Sequence, residues 1–191
     1  MKKTKEIWLI GVLCWAVTSV QAQDVGDWYY KATIGGNIAT LSGDDGVNSK
    51  LGWSSNIEVG FQVSKLFAPS VGVMGQMLGY KDKVLDENMR LSYLNIPLLA
   101  NFYITPWLAV KVGGQVGFLI RARMDGRNYK KYFNNIDFSI PIGISFEPVI
   151  GKDGALVIDF RYQLGLTDVN KTGIESCKNR AFILTVGYKM F

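Results

Sequence analysis

The chain has 191 residues, with 21 lysines and arginines against 16 aspartates and glutamates, and no histidine. A net charge of +5 gives no case for a nucleic-acid partner. The missing histidine removes the usual general base for a serine or cysteine nucleophile, and the commonest metal ligand.

Residues 1–22 read as a cleaved signal peptide. Lys2, Lys3 and Lys5 form its basic start, Ile7 to Val20 its apolar stretch, and Val20-Gln21-Ala22 its small-x-small cleavage site. The apolar run is short for a retained anchor helix, which needs about 20 residues. A lipoprotein signal at Cys14 would put the bulky Leu13 where a small residue is wanted. Without Lys2, Lys3, Lys5 and Glu6, 18 basic and 15 acidic residues remain in a single domain, 23–191. Cys177 is then the lone cysteine and has no internal disulfide partner.

Hydrophobic residues make up 48% of the chain, yet past residue 22 there is no helix-length amphipathic pattern. The pattern has a period of two, which means β-strands. It begins at Trp28–Leu41, where Tyr30, Ala32, Ile34 and Ile38 oppose Lys31, Thr33 and Asn37. In Leu51–Ser64, Ile57, Val59 and Phe61 oppose Asn56, Glu58 and Gln62. Ser70–Tyr80 is weaker, because Met74 and Leu78 share the side of Gln76. In Met89–Tyr103, Leu94, Ile96, Leu98 and Phe102 oppose Tyr93, Asn95, Pro97 and Asn101. In Leu108–Arg121, Val110, Val112, Val116, Phe118 and Ile120 oppose Lys111, Gln115 and Arg121. Asn135–Glu147 is the cleanest: Ile136, Phe138, Ile140, Ile142, Ile144 and Phe146 against Asp137, Ser139, Pro141, Gly143, Ser145 and Glu147. Ala155–Leu166 and Arg180–Phe191 repeat the pattern, with Asp159, Arg161 and Gln163, then Thr185 and Lys189, on the polar side.

Eight such strands, short connections at Lys65–Pro69, Thr105–Trp107 and Pro148–Gly154, and longer polar ones between, describe a closed antiparallel up-and-down transmembrane β-barrel with short periplasmic turns and longer extracellular loops. An even count places both termini on the periplasmic side. A soluble lipocalin-like barrel also alternates, with its apolar face inside. Charge decides between them. Lys31, Glu58, Lys111, Arg121, Asp137, Glu147, Asp159, Arg161 and Lys189 all fall on the polar face, and the apolar face carries none within the spans. A Lys or Arg facing lipid at mid-bilayer costs about 2–4 kcal/mol, so this exclusion is expected of a lipid-facing surface. The nine charges are expected to pair inside a narrow lumen, since a buried charge needs a partner. Trp28, Tyr29, Tyr30, Phe67, Tyr103, Trp107, Phe146, Tyr188 and Phe191 gather at the periplasmic strand ends, as an interfacial girdle would.

Two segments resemble a known family. Tyr93-Leu94-Asn95-Ile96-Pro97-Leu98-Leu99 and Arg161-Tyr162-Gln163-Leu164-Gly165-Leu166-Thr167 are similar to the signatures of the PorT-like outer-membrane β-barrel family. The resemblance covers essentially all of the chain past residue 22. It implies an integral place in the bacterial outer membrane, and an accessory role beside a protein-export component. It also implies that Tyr188, Met190 and Phe191 form a C-terminal signal read by the barrel-assembly machinery. Tyr188 and Met190 are in phase, and Phe191 is one step off, which departs from the family pattern.

Chemistry beyond this is sparse. Asp137 and Asp159 are conceivable as a carboxylate pair, but ion pairing with Lys111, Arg121 and Arg161 is the better reading. Gly113-Gly114-Gln115-Val116-Gly117 precedes no helix and so holds no anion at a helix N-terminus. Gly43-Asp44-Asp45-Gly46 lacks the ligand spacing of a calcium loop and reads as a solvated turn. No enzyme, cofactor or metal is expected. The third long loop and its stems are basic; it reads either as an ordinary solvated loop or as a contact of Arg123, Arg127, Lys130 and Lys131 with lipopolysaccharide phosphates in the membrane's outer lipid. The function expected is non-catalytic action through surface loops, in envelope interaction or beside an export assembly. The alternative is a narrow channel for small solutes.

Overall fold

The computed structural model describes residues 25–42, 47–82, 88–124, 127–151, 153–169, 171 and 177–191. The signal peptide read at 1–22 and the Gly43–Gly46 turn lie outside the described residues. Nine strands follow in order: β1 (Trp28–Ser42), β2 (Val47–Phe61), β3 (Phe67–Asp82), β4 (Asn88–Thr105), β5 (Leu108–Met124), the two-residue β6 (Arg127–Asn128), β7 (Ile136–Phe146), β8 (Gly154–Gly165) and β9 (Lys178–Met190). Among the described residues one 3-10 turn, Lys130–Tyr132, follows β6.

The eight long strands pair antiparallel with their neighbours around a ring, in the order β4-β3-β2-β1-β9-β8-β7-β5, and β5 pairs back to β4. The first and last strands meet in register from Tyr30 opposite Met190 to Ser42 opposite Lys178. The barrel therefore presents no open edge among its long strands, which is the condition hydrocarbon imposes on backbone N–H and C=O groups. The start of β1, the end of β9 and the connections 62–66, 106–107 and 147–153 lie at one end, the terminus end; the other connections lie at the loop end.

The faces follow the alternation. Ile34, Ile57, Leu98, Ile142 and Leu184 stand on the outside, while Lys31, Glu58, Lys111 and Asp159 are almost completely buried. From Leu94 to Ile104 on β4, a rise of about 3.3 Å per residue tilted by about 40° spans about 25 Å, the height of a barrel's lipid-facing band. Trp28 packs against Phe61, Phe67 against Phe102 and Trp107 edge-on against Phe146, each with ring centroids 5.2 Å apart, at the terminus end of that band.

Three expectations are corrected. First, Tyr29 and Tyr103 are not part of the girdle: both point into the lumen. Gly60, opposite Tyr29, makes room for this, because a Cβ there would strike the Tyr29 ring. Second, Arg121 is outside the barrel rather than in it. The β4–β5 register slips between Ser92 and Tyr93, where Ser92 faces Arg121 and Tyr93 faces Leu119. Ile120 is the extra residue of a β-bulge, and one extra residue moves every following side chain to the other face. Third, strands run on into segments whose polarity suggests loops: β2 begins at Val47, β3 ends at Asp82 and β5 at Met124. Polar alternation outside the membrane still permits pairing, so two loop-end connections shrink to 43–46 and 83–87. The longest, 125–135 and 166–177, remain at that end.

Candidate functional site: a filled lumen beneath a cationic rim

The inward residues of β1, β2, β5, β8 and β9, with Glu147 just past the end of β7, bring seven charges into the terminus half of the lumen. They form one chain of alternating sign. Lys189 Nζ lies 2.9 Å from Glu147 Oε2, and Glu147 Oε1 lies 2.7 Å from Lys31 Nζ. Lys31 Nζ is 3.6 Å from Glu58 Oε1, whose other oxygen is 4.0 Å from Arg161 Nη2. Arg161 Nε is 3.4 Å from Asp159 Oδ1, and Asp159 closes the chain on Lys111, whose Nζ donates a hydrogen bond to it. Four cations alternate with three anions, so each carboxylate lies between two positive groups.

Neutral groups complete the shell. Ser145 Oγ donates to Glu147 at 2.7 Å and Tyr103 OH at 3.2 Å, and Lys189 Nζ donates to Tyr103 OH at 2.8 Å. Lys189 Nζ also sits 4.3 Å from the centre of the Tyr29 ring, a cation–π contact. A cavity of about 160 Å³ at the terminus end is lined by Gln62, Tyr103, Glu147, Lys189 and Phe191, so its inner boundary includes this chain.

Above the charges lies a belt of amides. Asn95 donates to Gln76 at 2.7 Å, Asn37 to Ser54 Oγ at 2.8 Å and Gln115 to Ser139 Oγ at 3.3 Å. Asp137 belongs to this upper level and not to the ion pairs. Thr167 Oγ1 donates to it at 2.6 Å and Asn179 Nδ2 at 2.9 Å, and Asn179 Nδ2 also lies 3.3 Å from Tyr93 OH. Asp137 and Asp159 are therefore held in different networks, and no carboxylate pair forms.

The loop half of the lumen also holds an apolar cluster, which the alternation did not suggest. Leu41, Met74, Leu78, Met89, Leu91, Leu119 and Ile183 pack there, with Phe133 and Val169 from the loops over them. Two loops are tied together across the mouth: Asn134 N donates to Val169 O at 2.9 Å and Lys171 N to Tyr132 O at 3.0 Å. The signal available in the sequence was the pair Met74 and Leu78 on the polar side of their strand.

Of the expected lipopolysaccharide contacts, Arg123, Arg127 and Lys131 are exposed and Lys130 is half-buried. Lys131 Nζ lies 4.8 Å over the Tyr132 ring. Tyr188 and Met190 face outward in phase on β9 at the terminus end, while the Phe191 ring lies at the mouth of the lumen, 5.3 Å from Lys189 Nζ. Phe191 follows the strand, its N–H donating to Asp153 O at 3.2 Å. Both resembling segments supply lumen residues: Tyr93, Asn95 and Pro97 from one, Arg161, Gln163 and Thr167 from the other.

Several solved barrels share this architecture. The outer membrane protein OprG from Pseudomonas aeruginosa superposes with a TM-score of 0.61 at 10% identity, covering 90% of this chain and 98% of its own. Neisserial surface protein A gives 0.54 at 18% identity, covering 85% and 96%. Ail, the attachment invasion locus protein of Yersinia pestis, in complex with the heparin analogue sucrose octasulfate, gives 0.50 at 15% identity, covering 85% and 99%. At such identities the likeness is one of fold. No curated protein matches the chain by sequence. The model of the outer membrane protein β-barrel domain matches residues 10–189. With a closed eight-stranded barrel, apolar outside and charged within, the chain belongs to that family of integral outer-membrane proteins.

Proposed function

We propose that this protein is a sealed, non-catalytic barrel that acts through the surface of its loop end, in envelope interaction or as an accessory to a protein-export assembly. One observation carries the reading: among the described residues the lumen is occupied by alternating charges at one end and by a packed apolar cluster at the other. About eight strands leave an interior that side chains just fill. With the conduit closed, the loops and rim are what remains for function. The Ail complex with a sulfated heparin analogue supports a polyanion as the kind of partner such a rim meets. Non-catalysis rests on the absence of histidine and the pairing of every lumen carboxylate. Export by the cleaved leader 1–22, insertion by the assembly machinery through Tyr188, Met190 and Phe191, and the closer kinship to PorT-like proteins belong to the same reading.

Planar-bilayer recording separates this reading from a channel. The expected result is no steady current from the purified protein at neutral pH. Reproducible single-channel steps would overturn the sealed lumen and favour a narrow solute channel.

A further inference from the structure

The cavity at the terminus end holds polar atoms that the chain leaves without partners. Its walls come from the connections 62–66 and 147–153 and from the ends of β4 and β9, and its volume is about 160 Å³. Its floor is the end of the ion chain, where Lys189 Nζ donates to Glu147 at 2.9 Å and to Tyr103 OH at 2.8 Å. An ammonium has three donors, so one is left. Gln62 also lines the cavity and is 3% exposed. Its Nε2 donates to Ser64 O at 2.6 Å, which fixes the amide, and its Oε1 is buried with no partner among the described residues. Thr105 Oγ1 is buried and unpartnered in the same way. The rest of the wall is apolar, with Leu66, Ile104, Pro106, Val149 and the Phe191 ring.

Charge, hydrogen bonding and size together select an occupant. The ion chain holds four cations and three carboxylates, so this level of the lumen carries excess positive charge. Lys189 is the end of the chain that the cavity reaches; Lys111, at the other end, does not line it. A buried charge needs a partner, so an anionic group fits here and a cationic one does not. The Gln62 oxygen asks for an N–H, and the Thr105 hydroxyl has a proton to give to a carboxylate. An apolar cavity of about 150 Å³ takes up one benzene, so the body of the occupant is about one side chain. Water alone would meet the polar atoms but leave the charge unmatched.

We propose that this cavity binds a small apolar carboxylate with an N–H beside its carboxyl group, the chemistry of an N-acylated apolar amino acid or of the last residue of a peptide. The carboxylate meets Lys189 and Thr105, the N–H meets Gln62 Oε1, and the side chain lies against Leu66, Val149 and Phe191. The ion chain is the floor, so the ligand enters and leaves from the terminus side without crossing the barrel. The site lies at the opposite end from the loops and goes beyond the function proposed for them.

The test uses the full chain folded into phosphatidylcholine nanodiscs and titrated with N-acetyl-leucine, with NMR shifts of the protein as the readout. A ligand of about a dozen heavy atoms should bind with a dissociation constant on the order of 1 mM. Shifts should centre on Gln62, Thr105 and Lys189. N-acetyl-leucinamide, which lacks the charge, should bind about tenfold more weakly or worse, the effect of a lost hydrogen bond to a charged group. Acetate, which lacks the apolar body, should also bind more weakly. Gln62→Leu and Thr105→Val, both outside the ion chain, should each weaken binding about fivefold. Lys189→Met should abolish it; if that variant does not fold, the amide still tests the charge. A tetrapeptide ending in leucine separates the two sources: tighter binding than the single residue assigns the site to protein C-termini, and weaker binding to free acylated amino acids. Equal binding of acid and amide, shifts centred elsewhere, or no saturation, which would mean a cavity holding water only, would overturn the site.

Discussion

Glu147 is the residue on which the lumen converges. Lys31 and Lys189 both bond to it, and Ser145 and Tyr103 donate to it as well. Burying charge is costly, and breaking a buried network by removing one partner leaves the others uncompensated. Glu147→Gln keeps the shape but strands two lysines. Unfolding by urea in lipid vesicles should show a loss of about 3–5 kcal/mol. Adding Lys189→Met should recover part of it, since the second change removes one of the stranded cations. An unchanged midpoint for Glu147→Gln would mean the pairs contribute nothing to folding. At this scale the sequence was informative about which charges lie inside and uninformative about their partners. Lys31, Glu58, Lys111, Glu147, Asp159, Arg161 and Lys189 sit in the lumen because period two puts them there. Asp137 shares the face, yet Thr167 and Asn179 hold it by hydrogen bonds. Tyr29 and Tyr103 look like girdle residues by position. Only phase and the space over Gly60 place them inside.

At the scale of the strand, the outer band is the legible part. Leu98 and Ile142 lie near its middle, with nothing from the protein over them. Leu98→Lys should cost about 2–4 kcal/mol of folding into vesicles, against about 0–1 for the same change at Ile104 near the interface. Equal costs at the two depths would mean that no hydrocarbon surrounds this face. The strands were harder to read where one residue breaks the rhythm. The bulge at Ile120 leaves no mark in an apolar-polar pattern, since Ile120 and Arg121 are a plausible alternating pair until the partner strand is known. The ambiguity of β3 has the opposite cause. Met74 and Leu78 obey the alternation and point inward into an apolar cluster, so at these positions hydrophobicity no longer distinguishes the faces.

For the whole molecule, closure and filling are separate achievements of the chain. Closure comes from β1 meeting β9 in register and leaves the backbone no open edge to hydrocarbon. Filling comes from two unlike materials, paired charge at the terminus end and packed side chains under Phe133 and Val169 at the loop end. Both depend on one orientation of the sheet, greasy side out. Spin labels placed singly at Leu98, Ile142 and Phe160, in a Cys177→Ser background folded into vesicles, test that orientation most directly. Labels at these sites should collide with dissolved oxygen and stay hidden from an aqueous nickel chelate, while a label at Arg90 should do the reverse. Free access of nickel to Leu98 and Ile142 would contradict the account.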